Sequence, residues 1–426
     1  NRVQEMTGVP QDQIRLAART FAQSGPAAIL YALDTVPESR HVDLASALAD
    51  LALLTGNIGR PHGGLYPLRP GTNDQGSWDM GCVPHLLPGY LPVGDPSART
   101  TLQQAWDVEQ LPSAQGVGVN QVFQAVSAGR IKAMLVVGDS PAFSNGELGD
   151  VIEAAQGLEF LVVQDTFPSA LSQVAHVLLP SATFAEKEGT FTNLERRIQP
   201  LRKALEVPSA QARPDWWIVC QIARAMNAQG FDYHSPAQVL DEISSLVPTY
   251  AGITYQRLLS QKGVLEPSAL PNFPLPSQLH PTAGGQNASL QWPCTAPEDG
   301  GTPVLYAGNF PRGKARFIPL EPRETPTMAN ADFPFLFIPG RLLHQPHRDM
   351  EVQVAGSKNH IQRDELLEVH PADATDLLIE EGDWVEVVSP RERIRAKAQL
   401  TDKVLRGTVS STVLLGDLVT RLASSE

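Results

Sequence analysis

Between residues 121 and 180, short apolar runs alternate with helix-length segments, and this alternation constrains the fold more than any other feature. Ala133-Met134-Leu135-Val136-Val137 ends in Gly138-Asp139-Ser140, Phe160-Leu161-Val162-Val163 ends in Gln164-Asp165, and Val177-Leu178-Leu179-Pro180 follows. Gln121 to Ala128 and Leu148 to Ala155 read as the intervening helices. A strand covered on both faces is written as a continuous apolar run, so each run predicts a buried strand. Strands separated by helices cannot pair as hairpins, and the spacing predicts a parallel sheet. Ligands of such sheets sit beyond the carboxyl ends of the strands. The polar residues of this stretch fall at those ends.

The remaining chain divides into further segments. Val9-Pro10 to Ala22 predicts a helix, with Ile14, Ala17, Ala18 and Phe21 at helical spacing. Gly25-Pro26 breaks it before the apolar run Ala27 to Tyr31, which reads as a strand. Asp43 to Thr55 predicts a second helix ended by Gly56, and a glycine- and proline-rich loop runs from Gly59 to Gly76. Asp215 to Met226 reads as another helix. From about 260 to 332 proline and glycine crowd the sequence and periodicity fades, as in a long connection wrapped over other parts. Residues 336–338, 384–388, 394–398 and 408–413 are β-like with turns between them, which predicts a small β-barrel. The expected division is 1–70, part of a first α/β domain; 71–260, a second α/β domain; 261–332, the connection; and 333–426, the barrel. A chain of 426 residues exceeds one ordinary domain.

Composition narrows the function. Hydrophobic residues make up 42% and charged residues 19%, as in a globular protein. A net charge of -13 argues against a general nucleic-acid binder, which needs a broad basic face. It leaves room for a phosphate-bearing cofactor, which needs only local donors. Cys82, Cys220 and Cys294 form no CxxC pair, which argues against a disulfide framework, zinc knuckle or iron–sulfur site within the chain and for reduced thiols in the cytoplasm. No apolar run is long enough for a transmembrane helix. The first residue is Asn1, so the chain is expected to begin inside a longer protein.

Four stretches carry candidate chemistry. Seven glycines lie from Gly56 to Gly81, and Arg60 and Arg69 sit among them; glycine lets backbone approach a ligand, and arginine holds an anion. A helix-terminating loop would carry the same glycines. Gly138-Asp139-Ser140 suits a phosphate or ribose but is not GxGxxG, and a plain strand-to-helix turn reads alike. At Gln164-Asp165 the carboxylate can accept two N–H donors from a guanine-like edge, or cap a helix. The run Glu186-Lys187-Glu188-Gly189-Thr190-Phe191-Thr192-Asn193 with Glu195-Arg196-Arg197 is dense in hydrogen-bonding groups. His344 and His347 are three apart without an HExxH motif, and no GxSxG elbow occurs.

These segments occur together in a recognisable order. Leu53 to Pro61, Asn73-Asp74-Gln75-Gly76 with Asp79-Met80-Gly81, Leu87-Pro88-Gly89-Tyr90, Gln164-Asp165-Thr166-Phe167, Val177 to Pro180, Ala185 to Asn193 and Arg213-Pro214-Asp215-Trp216 follow the sequence of formate dehydrogenase large subunits. Gly252 to Tyr255, Leu290 to Cys294 and Gly313-Lys314-Ala315 continue the match. The chain thus resembles the C-terminal portion of a molybdopterin oxidoreductase of the formate dehydrogenase kind. The resemblance implies parallel-sheet, dinucleotide-binding-like α/β domains around a molybdopterin guanine dinucleotide carrying Mo or W, followed by a C-terminal double-psi β-barrel. It implies Arg69 as the arginine that helps place formate. It implies Gly138, Asp139, Ser140, Gln164, Asp165, Lys187, Gly189, Thr190, Asn193 and Asp215 as pterin- and guanine-site residues. It also implies that the metal-ligating cysteine or selenocysteine and the iron–sulfur segment precede Asn1. The expected partners are the protein's own N-terminal domains and NADH- or quinone-linked electron-transfer subunits, with cytoplasmic location or attachment to the inner membrane face through those subunits. Without its N-terminal part the stretch is expected to be inactive.

The sequence also departs from the family pattern. Arg-Gly-Gln-Asn-Asn becomes Arg69-Pro70-Gly71-Thr72-Asn73, which removes a glutamine and an N–H donor. Thr-Glu-Thr becomes Pro168-Ser169-Ala170. The turn after Gly340-Arg341 reads His344 to Glu351, and an aromatic and asparagine cluster is replaced by Val413 to Asp417. These departures admit an alternative, the large iron–sulfur subunit of NADH-quinone oxidoreductase, in which the same fold is a pterin-free structural scaffold.

Overall fold

A computed structural model describes residues 2–33, 40–69, 71–138, 148–169, 171–206, 211–260, 290–310, 313–320, 329–340, 366–389 and 393–412. Asp139 and Ser140, the turn from His344 to Glu351, Val413 to Asp417 and most of the connection lie outside them. The chain forms two units discontinuous in sequence. The first comprises Asn1–Gln115, Glu188–Arg202 and Tyr233–Arg323; the second comprises Gly116–Lys187, Lys203–Asp232 and Glu324–Glu426.

The first unit opens with helices Arg2–Thr7 and Gln11–Gln23, strand Ala28–Tyr31, helix His41–Leu54 and strand Gly64–Pro67. The two strands pair in parallel, which requires the helix between them as a crossover. Helix His41–Leu54 stops where Gly56 takes φ 67°, a left-handed conformation that favours glycine. The next residue, Asn57, is fully buried: its Oδ1 accepts from the Ala27 N–H at 2.8 Å and its own N–H donates to the Ala52 carbonyl at 2.8 Å. One side chain thereby ties the strand to the helix end. Helix Asp74–Asp79, a short hairpin of Leu86–Leu87 and Leu91–Pro92, and helix Pro96–Trp106 follow. The hairpin Gly189–Thr192 with Ile198–Leu201 returns to this unit, together with helices Pro236–Leu246 and Tyr255–Ser260. Its core gathers Ile198, Leu240, Val247, Tyr250, Ile253, Leu258, Leu290 and Cys294.

The second unit carries the parallel sheet. Strand Phe160–Asp165 lies between Ala133–Val137 and Val177–Pro180, parallel to both; helix Val119–Ser127 precedes the first strand, and helix Leu148–Gln156 lies in the crossover from it to the middle one. Val126, Val151, Ala155, Leu158, Leu161, Val163 and Leu171 form the core, with Met134 and Val136 packed against it. The expectation of strands buried throughout needs correction. Alternate residues Leu135, Val137, Phe160 and Leu178 are exposed, because the described helices cover one face of the sheet and a strand turns successive side chains to opposite faces.

A five-stranded mixed sheet closes the second unit. Leu336–Gly340 pairs in parallel with Thr408–Thr412, and Leu366–Val369 pairs in parallel with Arg393–Leu400; antiparallel ladders join Leu366–Val369 to Thr408–Thr412 and Trp384–Val388 to Arg393–Leu400. Sequence reading missed strand Leu366–Val369 and helix Pro371–Leu377. Buried Asp373 holds that helix in place: its carboxylate accepts from the Gly407 N–H at 2.7 Å and from Arg406 Nε at 3.1 Å.

Candidate cofactor and substrate site

At the carboxyl end of the middle strand, three predicted residues come together in the second unit. Gln164 is wholly buried, and its amide Nε2 donates to Asp215 Oδ1 at 2.9 Å. Lys187 Nζ donates to the other carboxylate oxygen, Asp215 Oδ2. The fold explains the meeting. Arg213 continues the sheet as a parallel bridge to Ser181, its N–H donating to the Pro180 carbonyl at 3.2 Å, and Pro214 then starts helix Asp215–Ala225. Asp215 thus begins a helix, where a negative charge is favoured by the helix dipole. Lys187 is delivered by a short 3-10 turn, Phe184–Glu186, closed by a capping box in which Glu186 accepts from the Thr183 N–H at 2.9 Å.

One acceptor of this cluster is unspent. Gln164 Oε1 is buried with no hydrogen-bond partner among the described residues. A buried carbonyl without a donor is costly, so Oε1 has capacity for a donor that the described residues do not supply. The Lys187 and Asp215 side chains remain 23% and 34% exposed, so the ion pair faces a reachable surface. Asp165 accepts from the Thr166 N–H at 2.6 Å through Oδ1. Gly138 follows the neighbouring strand at φ 69°, its N–H donates to the Gln164 carbonyl at 2.9 Å, and no described residue stands within 4 Å of where a Cβ would be. That open space beside a strand end is where backbone can approach a ligand closely.

The first unit holds the other predicted residues. Arg69 stacks over the Trp78 ring, with Cζ 4.9 Å from its centroid. Its Nη1 is buried and has no partner among the described residues, so it is a charged donor with capacity left for an anion. Gly189 and Thr190 lie in the hairpin opposite Leu201 and Pro200. The Gly189 carbonyl accepts from the Tyr255 hydroxyl at 2.9 Å. Asn193 builds the hairpin turn, its Oδ1 accepting from the Glu195 and Arg197 N–H groups at 2.9 Å each. Arg196, held at φ 63°, clamps the turn to the chain beyond by donating to the carbonyls of Trp292, Thr302 and Pro303.

Sequence reading did not find the polar centre of this unit. Asp79 is fully buried; its carboxylate accepts from the Tyr250 hydroxyl at 2.6 Å and from Gln75 Nε2 at 2.8 Å. Gln75 Nε2 also donates to the Tyr90 hydroxyl at 2.6 Å, which brings Tyr90 to the edge of the cluster. Burial pushes the Asp79 carboxyl above its ordinary range, against the opposing pull of these donors and the Arg69 charge. Burial and the Asp79 charge push both tyrosine hydroxyls upward. The Asn73 side chain joins the cluster to the hairpin by accepting from the Thr192 N–H at 2.8 Å. Asp79 and Tyr250 stand 171 positions apart, so no local spacing could announce their contact; the blocks Asn73 to Gly76, Asp79 to Gly81 and Leu87 to Tyr90 hold Gln75, Asp79 and Tyr90 without giving them a role.

Among the described residues no group of three or more His, Cys, Asp or Glu is placed to hold a metal ion, and no helix is long and apolar enough to cross a membrane. Cys82 is exposed, whereas Cys220 and Cys294 are buried.

Known proteins resemble the chain along nearly its whole length. The model of the molybdopterin oxidoreductase family matches residues 16–225, and that of the molybdopterin dinucleotide binding domain matches residues 335–417. The alpha subunit of F420-dependent formate dehydrogenase 2 from Methanococcus maripaludis is 34% identical over 409 residues, 95% of this chain and 56% of that protein. Formate dehydrogenase H from Escherichia coli is 31% identical over 415 residues, 96% of this chain and 54% of that protein. This chain therefore spans about half the length of these curated relatives. Among solved structures, acetylene hydratase from Pelobacter acetylenicus superposes with a TM-score of 0.60 at 17% identity, covering 96% of this chain and 57% of that one, a likeness of fold alone. Relatives that are formate dehydrogenases do not favour the alternative of a pterin-free respiratory scaffold.

Proposed function

The chain belongs to the molybdopterin oxidoreductase family, and from that premise we propose that it is the cofactor-cradling part of a formate dehydrogenase-like large subunit. The observation that carries this reading is the pair of unspent buried groups on predicted residues: the donor Arg69 Nη1 and the acceptor Gln164 Oε1. A pterin guanine dinucleotide is rich in ring N–H donors and bears phosphates, and the groups present fit it. Gln164 and Asp165 offer acceptors to a guanine-like edge, and Lys187 offers further N–H donors beyond the one spent on Asp215. Gly138, Asp139, Ser140, Gly189, Thr190 and Asn193 complete the proposed lining, and the C-terminal sheet is taken as part of a double-psi barrel.

The Mo- or W-bearing pterin supplies, when bound, the acceptor for the two electrons released as formate becomes carbon dioxide. The protein's own part is binding and orientation. Arg69 presents a planar, permanently charged fork to the carboxylate, and the Trp78 ring fixes the plane of that fork. Electron-transfer subunits, an iron–sulfur cluster held by residues before Asn1 and a cytoplasmic setting complete the proposal.

The test uses the product of the whole gene, purified from cells grown with molybdate and tungstate. Elemental analysis should find one of the two metals, released pterin should carry guanine, and formate should reduce an added dye. Arg69→Ala should keep the metal and lose formate turnover. A metal-free, pterin-free protein would sink the reading in favour of a scaffold.

A further inference from the structure

Asp79 falls within the glycine-rich stretch from Gly56 to Gly81, though no sequence signal gives it a role, and its cluster abuts the one arginine proposed to hold substrate. Asp79 ends helix Asp74–Asp79, and its neighbour Trp78 is the ring on which Arg69 rests, with Cζ 4.9 Å from the centroid. A movement of Asp79 therefore carries Trp78, and the guanidinium stacked on it, with the helix end. The carboxylate is tied by Gln75 on its own helix and by Tyr250 from the turn Pro248–Tyr250, and Gln75 also holds Tyr90 in the turn of the adjacent hairpin. The Tyr250 hydroxyl also lies 3.5 Å from Thr192 Oγ1, so the same node reaches the hairpin that carries Gly189 and Thr190.

We propose that Asp79 is a positioning residue for Arg69, a buried carboxylate held by Tyr250 and Gln75 that fixes where the guanidinium sits and so sets how tightly a small carboxylate binds beside it. The inference rests on the reading of Arg69 as the substrate-binding arginine. The chemistry of the shell points to an anion at its centre. Gln75 donates to one carboxylate oxygen of Asp79 and Tyr250 to the other, and a neutral acid or an amide would face one of them with a hydrogen of its own. The charged groups that face it are Arg69 and, at longer range, Arg196, both positive. The Asp79 charge therefore steadies Arg69 electrostatically as well as through the helix. As pH falls and Asp79 takes up its proton, both the counter-charge and one acceptor are lost, and binding of the substrate carboxylate should weaken.

The experiment measures formate affinity and turnover of the whole-gene enzyme across pH 5 to 8, using the formate-induced rise in melting temperature beside KM and kcat. Asp79→Asn is expected to raise KM about tenfold, a loss typical of one weakened charged contact, with kcat changed much less, and to remove the acid limb of 1/KM. Tyr250→Phe keeps the carboxylate but removes a donor that lowers its pKa, so the acid limb should move to higher pH. A role in folding alone would lower the melting temperature and leave that limb in place. Should Asp79→Asn fail to fold, Tyr250→Phe and Tyr90→Phe decide the matter, and an unmoved limb in both overturns the proposal. Arg69→Ala separates the two readings. If it abolishes the formate-induced shift while the Asp79 and tyrosine variants bind normally, only the positioning role is wrong. If Arg69→Ala itself binds formate normally, the reading of Arg69 fails.

Discussion

Gln164 is fully buried and Arg69 partly buried, and each keeps one buried polar atom without a partner among the described residues. In a close-packed interior that is expensive, and an amide or guanidinium left short of partners marks a place where something else completes the shell. The Lys187–Asp215 pair is the opposite kind of feature. It is one-quarter to one-third exposed, so its worth to stability is at most about 1 kcal/mol. Asp215→Asn is accordingly expected to melt within a few degrees of the parent, yet to lose bound pterin, read as fluorescence of the cofactor released from equal amounts of protein. Unchanged pterin content would remove Asp215 from the site. Gly59 illustrates a purely structural residue: it adopts φ 76°, and a Cβ there would stand 2.4 Å from the Tyr306 carbonyl oxygen. Gly59→Ala should lower unfolding free energy by roughly 2–4 kcal/mol, since left-handed strain and a backbone clash add. Chemical denaturation measures the change.

At the scale of elements, helices in this protein are held mainly by their ends and by one buried face. Helix Pro96–Trp106 starts at Asp95, whose carboxylate accepts from Ser97 Oγ at 2.8 Å and the Ser97 N–H at 2.9 Å, with Pro96 in the first turn. Those bonds, the side-chain one foremost, hold the Asp95 carboxyl below its ordinary range. A group depressed in the folded state stabilises it above the unfolded pKa, and that stability is lost as pH falls through the folded value. Asp95→Ala should therefore unfold at lower urea concentration than the parent at pH 7, and the gap should close as pH is taken below about 4. A gap that persists in acid would mean that the cap does not act through its charge. In the parallel sheet, Leu161 is fully buried on the helix-facing side of the middle strand. Leu161→Ala should cost about 2–5 kcal/mol, a cavity effect visible as a drop in melting temperature.

For the whole molecule, the two units alternate along the chain. Residues 188–202 return to the first unit directly after Lys187 completes the ion pair of the second. Predicted site residues thus fall in both: Arg69, Gly189, Thr190 and Asn193 in the first, and Gln164, Asp165, Lys187 and Asp215 in the second. The chain spans about half the length of its relatives. Residues 1–426 expressed alone should therefore show no formate oxidation by dye reduction, whereas the whole-gene product should. Turnover by the stretch alone would mean that it holds its own metal ligand and electron exit.

The sequence by itself determined the local elements and the family. Apolar runs, glycine stops and helical spacing placed the strands Ala133–Val137 and Val177–Pro180 at their observed bounds, and the neighbouring helices within two residues, because these signals act over a few positions of backbone. It missed helix Pro371–Leu377, where about two turns carry too little periodicity to be read. Tertiary structure alone decided which polar groups meet. Asp79 finds Tyr250 across 171 positions, and Gln164 finds Asp215 across 51. A buried charge is tolerated only where several donors converge on it, and convergence is a property of packed space, which the order of residues along a chain does not record.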